Sequence, residues 1–253
     1  MQFINEQYKV IEEKSSDAYG TTYIVEDIQK DSLLKHLRII NLQNETRDFI
    51  DYMKNNFYNY SKYYHPYLID FHFFNRIRLI DYKQTVLNHY YYTYDYFKGV
   101  NLFDYCKRKD FDSILDLAAE LCEAVKFLHL RGFLLCSIDS NDLQIVRDGE
   151  KDHLKILALP YPRGTSSRII INKKNTCFAA PEVHKDKSYS VLTDVYIIGS
   201  VISCMLRAFN HSEEKSEDNH RSIMDIIKKC MAEKPEDRFQ TIDQIIASIN
   251  NYF

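Results

Sequence analysis

The chain has 253 residues, 45% of them hydrophobic, enough to bury a substantial core in one two-lobed domain or two small ones. Its 33 basic and 36 acidic residues leave a net charge of −3, which excludes the strongly basic balance that nucleic acid or an anionic membrane surface selects. Six cysteines, Cys106, Cys122, Cys136, Cys177, Cys204 and Cys230, are scattered without metal-site spacing or disulfide density, so a reducing, cytoplasmic setting is expected.

The first ten residues, MQFINEQYKV, have neither a basic start nor an apolar stretch, and no secretion is expected. Residues 8–13, 21–27 and 33–40 are short β-type segments separated by Ser/Asp/Gly or charged turns. A helix is expected over 44–64, stopping before His65-Pro66 because proline disfavours helical geometry in the residue preceding it. Strands return at 67–74, 77–82 and 90–97, giving a small sheet that carries one helix. The aromatic clusters at 57–64 and 89–97 suit either core packing or an interaction surface. From Asn101 the period changes: Ile114, Leu117, Ala118, Leu121, Ala124, Val125 and Leu128 recur three or four apart and predict a buried helical stripe. Further helices are expected at 191–208, 222–232 and 241–252, with a solvated loop at 211–220, HSEEKSEDNH. The longest apolar run, about 196–206, is too short for a bilayer, so no membrane insertion is expected. No internal repeat or low-complexity linker interrupts this order.

Nine strings occur in a telling sequence: YKVIEEKSSDAYGTTYIVED, LLKHLRII, YYHPYLIDFHFF, YYTYDYFKGVNLFDYCK, FLHLRGFLLCSIDSNDLQIV, LKILALPYPRG, NTCFAAPEV, SVLTDVYIIGSVI and KCMAEKPEDRF. In order and near-family spacing they resemble a eukaryotic-type Ser/Thr protein kinase. The matched segments run from the glycine-rich loop through the lysine strand, helix, hinge, catalytic loop, Asp-Phe-Gly strand and Ala-Pro-Glu segment to the late Pro-x-x-Arg turn. The resemblance covers nearly the whole chain. It implies an α+β, protein-kinase-like bilobal fold: a small β-rich N-lobe with one main helix over 1–97, a hinge about 94–100, and a larger mainly α-helical C-lobe over 98–253.

Kinases transfer phosphate by positioning it and offsetting its charge with magnesium and lysine, so the residue types at those positions decide activity. Gly132 and Ile145 fix the catalytic loop without a gap, which sets Leu135, Cys136 and Ser137 against His-Arg-Asp. Ser137 therefore replaces the base carboxylate, and a neutral hydroxyl is a poor base. Asp142 matches the magnesium-binding asparagine, while Ala158-Leu159-Pro160 matches Asp-Phe-Gly and offers the ion no oxygen. Asp142 alone suits either a hydrated ion or, more plainly, a turn cap.

Arg38 takes the lysine position and Asn56 that of its partner glutamate, with Asp51 as an alternative partner, so the ion pair becomes at best a hydrogen bond. Arg38 is expected to lean on a carboxylate elsewhere or to point to solvent. The phosphate loop, Ser15-Ser16-Asp17-Ala18-Tyr19-Gly20, keeps only the last glycine and puts the Asp17 charge where phosphate would sit. Thr22, His36 and Gln144 replace the valine, alanine and leucine that sandwich adenine. His36 would obstruct the roof, and the Gln144 amide in the floor would cost about 1–3 kcal/mol in lost hydrogen bonds.

Other family positions are kept. Glu182 and Arg238 match a buried ion pair, and Asp194 matches the aspartate that caps the catalytic-loop backbone, a plain N-cap being the competing reading. Leu135, Leu159 and Tyr60 suit an apolar column. Residues 161–178 match the activation loop; Arg163, Arg168, Lys173 and Lys174 there suit docking of an acidic or phosphorylated segment, or simple solvation, and Thr165, Ser166 and Ser167 are possible phosphate acceptors.

These replacements in a kinase-like chain imply a catalytically inactive pseudokinase with no metal or cofactor, acting as a regulatory, scaffolding or sensory module through a protein partner or the output domain of a longer chain. Neither nucleic acid nor membrane is expected as a partner, and the oligomeric state stays open. Two alternatives remain: an unconventional nucleotide-dependent transferase using Asp139 or Asp142, and a sensor in which His36, Tyr94 and Gln144 receive a non-nucleotide small molecule.

Overall fold

The computed structural model describes residues 3–17, 20–41, 47–80, 86–149, 151–165, 178–186, 188–209 and 217–251. The chain divides into two compact units, Met1–Tyr64 with Asp70–Phe97, and His65–Ile69 with Lys98–Phe253.

In the first unit the alternating segments make one antiparallel sheet of β1 (Phe3–Ile4), β2 (Tyr8–Asp17), β3 (Gly20–Asp27), β4 (Leu33–Asn41), β5 (Phe71–Ile80) and β6 (Val86–Asp95), in the order β1-β2-β3-β4-β6-β5. Alternation gives β4 two faces. Leu37 and Ile39 pack with Tyr8, Val25, Ile77 and Tyr91 into a core on one of them. The residues between, His36 and Arg38, share the other face with their ladder partners Tyr94 and Tyr92. Helix α1 (Arg47–Tyr60) buries Phe49, Met53, Phe57 and Tyr60 at helical spacing, and the Phe57 ring lies 5.5 Å from Phe71 and 5.6 Å from Phe74.

Several boundaries differ from the sequence reading. The helix expected over 44–64 ends at Tyr60, where Tyr63 N–H turns back to the Tyr60 carbonyl; residues 44–46 lie outside the described residues. The strands expected at 67–74 and 77–82 are one strand, β5, which begins only at Phe71 because Tyr67–Ile69 backbone groups are taken by Ile156. An irregularity between Phe71 and Phe73 lets that strand keep its facing residues across the break. Strand β6 starts four residues earlier than the expected 90–97 and ends at Asp95.

The second unit contains β7 (Gly99–Asn101), α2 (Leu102–Cys106), α3 (Phe111–Leu130), β8 (Phe133–Leu134), β9 (Leu143–Asp148), β10 (Lys151–Ile156), β11 (Tyr161–Pro162), α4 (Pro181–Lys185), α5 (Val191–Ala208), α6 (Glu217–Cys230) and α7 (Ile242–Asn250). Asp110 caps α3 by accepting the Ser113 N–H at 2.7 Å, and the stripe from Ile114 to Leu128 is buried. The apolar run at about 196–206 lies in helix α5, whose 18 residues have a mean hydropathy of 1.5 and are, by length and composition alone, long and apolar enough to cross a membrane. Yet 61% of it is buried within the fold, and Gly199 lets α6 approach so closely that a Cβ there would lie 2.4 Å from Cys230 Cβ. Helix α6 begins at Glu217, so Glu217–His220 are helical rather than part of the loop expected at 211–220; residues 211–216 lie outside the described residues. Its polar first turn carries no apolar stripe, which is why periodicity placed the start at 222.

Candidate functional site

In the first unit, β4 carries the two positions of interest. The His36 ring is 0% exposed, stacked on Tyr94 with centroids 4.9 Å apart and closed in by Tyr96 at 5.3 Å and Phe97 at 5.0 Å. Its Nε2 lies 3.2 Å from the Phe97 carbonyl, and Nδ1 has no hydrogen-bond partner among the described residues. Burial, aided by the nearby Lys14 charge, pushes its pKa down from 6.5 to about 4, so the ring is neutral at physiological pH. Arg38, half-buried, donates from Nη1 to the hydroxyl of its ladder partner Thr22 at 3.0 Å, an arrangement in which the guanidinium lies along the sheet. Asn56 is 2% exposed on the buried side of α1. Asp51, the alternative partner for Arg38, instead faces Arg47 at 3.8 Å on the exposed side of that helix.

The phosphate-loop positions are in a ladder. Ser15 pairs with Thr22, Ser16 with Thr21, and the Asp17 backbone with Gly20, the two hydroxyls of Ser16 and Thr21 standing 3.0 Å apart. Gly20 has a packing reason to be glycine, since a Cβ there would lie 2.0 Å from the Ile39 carbonyl oxygen on β4.

In the second unit, the segment matched to the catalytic loop is held by Asp194. Its fully buried carboxylate accepts the Leu135 N–H at 2.8 Å and the Cys136 N–H at 2.9 Å, with His129 Nε2 at 2.8 Å. The N-cap of α5 is Ser190, accepting from Leu192 N–H, so Asp194 is not the plain cap of its helix. The clamp holds Cys136 at φ +61°, a left-handed backbone that costs a non-glycine residue about 1–3 kcal/mol. Ser137 follows, half-buried, its N–H on the Leu135 carbonyl at 2.7 Å. Asp139 and Asp142 cap one 3₁₀ turn reciprocally: Asp139 accepts from Asn141 N–H and Asp142 accepts from Asp139 N–H, both at 2.8 Å. Gln144 Nε2 is tied to the same turn through the Asn141 carbonyl at 3.2 Å. Ala158 is buried at 8% exposure, next to Leu157, whose N–H bonds the Asp142 carbonyl.

Glu182 and Arg238 form a two-pronged pair, both bonds 2.8 Å, with the Arg238 side chain 0% exposed. Arg163 donates to the His129 carbonyl at 2.7 Å near the end of α3. Arg168, Lys173 and Lys174, with Ser166 and Ser167, lie outside the described residues.

A second charged centre was not singled out from the sequence. Asp152 accepts two bonds from Arg147, at 2.7 and 2.9 Å, and one from the Tyr105 hydroxyl at 2.8 Å. Those hydrogen bonds, Arg147 first, hold its carboxyl well below the usual carboxylate range. The signal was present: Gly149, with φ +63°, opens the two-residue turn between β9 and β10, whose register puts Arg147 opposite Asp152.

Solved structures similar to this chain include the kinase domain of Mycobacterium tuberculosis PknI, at 12% identity and a TM-score of 0.73 over 99% of this chain and 98% of that one. A double mutant of the same domain matches at 12% identity and 0.74, over 99% and 97%. A further crystal structure of it matches at 13% and 0.72, over 99% and 97%. No protein-family model matches the sequence, and no curated protein does. The chain has a protein-kinase-like α+β fold, a β-rich unit with one main helix followed by a mainly helical unit.

Proposed function

We propose that this chain is a catalytically inactive pseudokinase domain that does not bind Mg-ATP and works as a regulatory or scaffolding module in cytoplasmic signalling, by presenting a surface to a protein partner or an output domain. The observation that carries this reading is a contrast within the second unit. Asp194 fixes the catalytic-loop backbone with two buried N–H bonds, yet the side chain delivered next to it is the Ser137 hydroxyl. A neutral hydroxyl cannot take a proton from a substrate alcohol at useful rates. At the position matched to the Asp-Phe-Gly aspartate, Ala158 has no oxygen to offer magnesium. In the first unit, the neutral His36 ring and its aromatic neighbours occupy the face that the kinase resemblance assigns to the adenine roof. Stability without activity is what such replacements favour where catalysis is not required.

A thermal-shift titration of the full chain with ATP, ADP and GTP, with and without magnesium or manganese, tests the reading. A ligand at 100 times its Kd adds about 2.7 kcal/mol to the folded state, which is several degrees for a chain of this size. No shift is expected; a metal-dependent shift together with phosphate transfer to any acceptor would overturn the reading. The second reading, a sensor of a non-nucleotide small molecule, draws on His36 Nδ1, which has no hydrogen-bond partner among the described residues. The ring's complete burial weighs against it.

A further inference from the structure

A cavity of about 440 Å³ lies wholly within the second unit, and Ser137, Asp139, Asp142 and Ala158 are not among its lining residues. Val100 on β7 and Ile145 on β9 give it an apolar part, and Val100 is 52% exposed. The rest is charged. Lys98, Arg108, Lys109 and Arg147 line it against only Asp104 and Asp152, an excess of two positive charges.

Both carboxylates, already counted in that balance, are engaged. Asp152 is already engaged by Arg147, by the Tyr105 hydroxyl and by Lys109 at 3.4 Å. Asp104 pairs at 2.6 Å with Lys107, a cation outside the lining. Lys98 and Arg108 have no carboxylate partner among the described residues. Asp152 also fixes the site, because it holds Arg147 by Nε and Nη2 and leaves Nη1 available to donate.

We propose that this cavity binds a phosphate monoester carried on a peptide segment. A phosphorylated side chain bears about −1.5 to −2 charges at pH 7, which matches the excess, whereas one carboxylate would leave it half uncompensated. Arginine forks bond phosphate oxygens in pairs. The volume falls within the range of about 300–1,000 Å³ typical of ligand sites and exceeds what a bare phosphate fills, leaving the apolar part for the attached residue. β7 is an outer strand of the β10-β9-β7 sheet, an edge that an extended segment can join. The inference is independent of whether the chain transfers phosphate.

The test uses the full chain and a library of short peptides with randomised flanks centred on phosphoserine, phosphothreonine or phosphotyrosine. Their unphosphorylated and glutamate twins and inorganic phosphate are run alongside, with fluorescence anisotropy and competition as readouts. At least one phosphopeptide is expected to bind about tenfold more tightly than its twins and than inorganic phosphate. The exposed double variant Lys98→Ala/Arg108→Ala should lower that affinity by about tenfold or more while leaving the melting temperature unchanged. Arg108→Lys, which keeps the charge but not the fork, should fall between. No phosphopeptide binding, equal binding of the twins, inorganic phosphate binding as tightly as any peptide, or full affinity in the double variant would each overturn the proposal.

Discussion

Replacing Arg238 by leucine should damage the second unit more than its single position suggests. The guanidinium is wholly buried and spends its donors on five acceptors: both Glu182 oxygens at 2.8 Å, and the carbonyls of Ala232 at 2.8 Å, Leu192 at 2.9 Å and Glu233 at 3.1 Å. Leucine removes them all and strands a carboxylate that is only 12% exposed, with the Thr193 hydroxyl at 3.0 Å still donating to it. Breaking one side of such a buried pair costs about 3–5 kcal/mol. The double variant Glu182→Leu/Arg238→Leu removes the stranded charge and should recover about 1–3 kcal/mol of that loss, the carbonyls remaining unsatisfied. Urea unfolding followed by circular dichroism measures both, and the tyrosine-rich, tryptophan-free composition makes tyrosine fluorescence a second probe. The pH dependence has a definite sign. Burial raises the Glu182 pKa, but the Arg238 hydrogen bonds outweigh it and hold the group below its ordinary 4.5. Its contribution is therefore complete above pH 4.5 and is lost as pH falls through the lower, folded value. A loss below about 1 kcal/mol in Arg238→Leu would refute the reasoning, since that is the size of a solvent-screened surface pair.

His36, whose folded pKa is pushed down from 6.5 to about 4, should make the protein acid-sensitive: its contribution is full above pH 6.5 and is lost as pH falls toward 4, by about 3 kcal/mol at most. Denaturant midpoints measured from pH 7.5 to 4.5 should therefore decline in the wild type and flatten in His36→Phe; equal slopes would show that the ring is hydrated. Gly20→Ala should cost about 1–3 kcal/mol, because the new Cβ meets backbone 2.0 Å away rather than a side chain able to move. A thermal scan showing no loss would mean that β3 and β4 separate freely at that point.

Sequence alone carried the order of elements well where a side-chain period was strong. The α3 stripe from Ile114 to Leu128 and the whole of α5 are of this kind, because burial on one face leaves a 3.6-residue repeat. It failed where backbone bonding set the boundary. Nothing in YLID tells that the carbonyl and N–H of Tyr67 and Ile69 will be claimed by Ile156, nearly ninety residues on. The site was legible as residue types and illegible as partnerships. That a bulky His36 stands at the position matched to a small residue can be read from the string LLKHLRII; that Tyr94, Tyr96 and Phe97 close around it depends on the register of β4 against β6. Gly20 shows the converse, a residue matched to phosphate binding whose close contact is with a carbonyl of the neighbouring strand.

The residues that persist and those that do not differ in what their loss would do. Asp194 anchors two backbone N–H groups that would otherwise be buried without this acceptor, and it also faces the part-buried His129 ring, so removing it would leave both N–H groups unmet in the interior. It further holds Cys136 in a left-handed conformation that would relax without the clamp. Ser137 and Ala158, by contrast, stand at the positions that the kinase resemblance matches to two carboxylates, where a neutral side chain brings no desolvated charge. Such a pattern separates two demands that an active kinase must meet together: a loop held in place, and a charge set upon it. This chain meets the first by hydrogen bonds that the fold itself needs. Introducing Ser137→Asp and Ala158→Asp together should therefore destabilise the second unit before it conferred any magnesium binding.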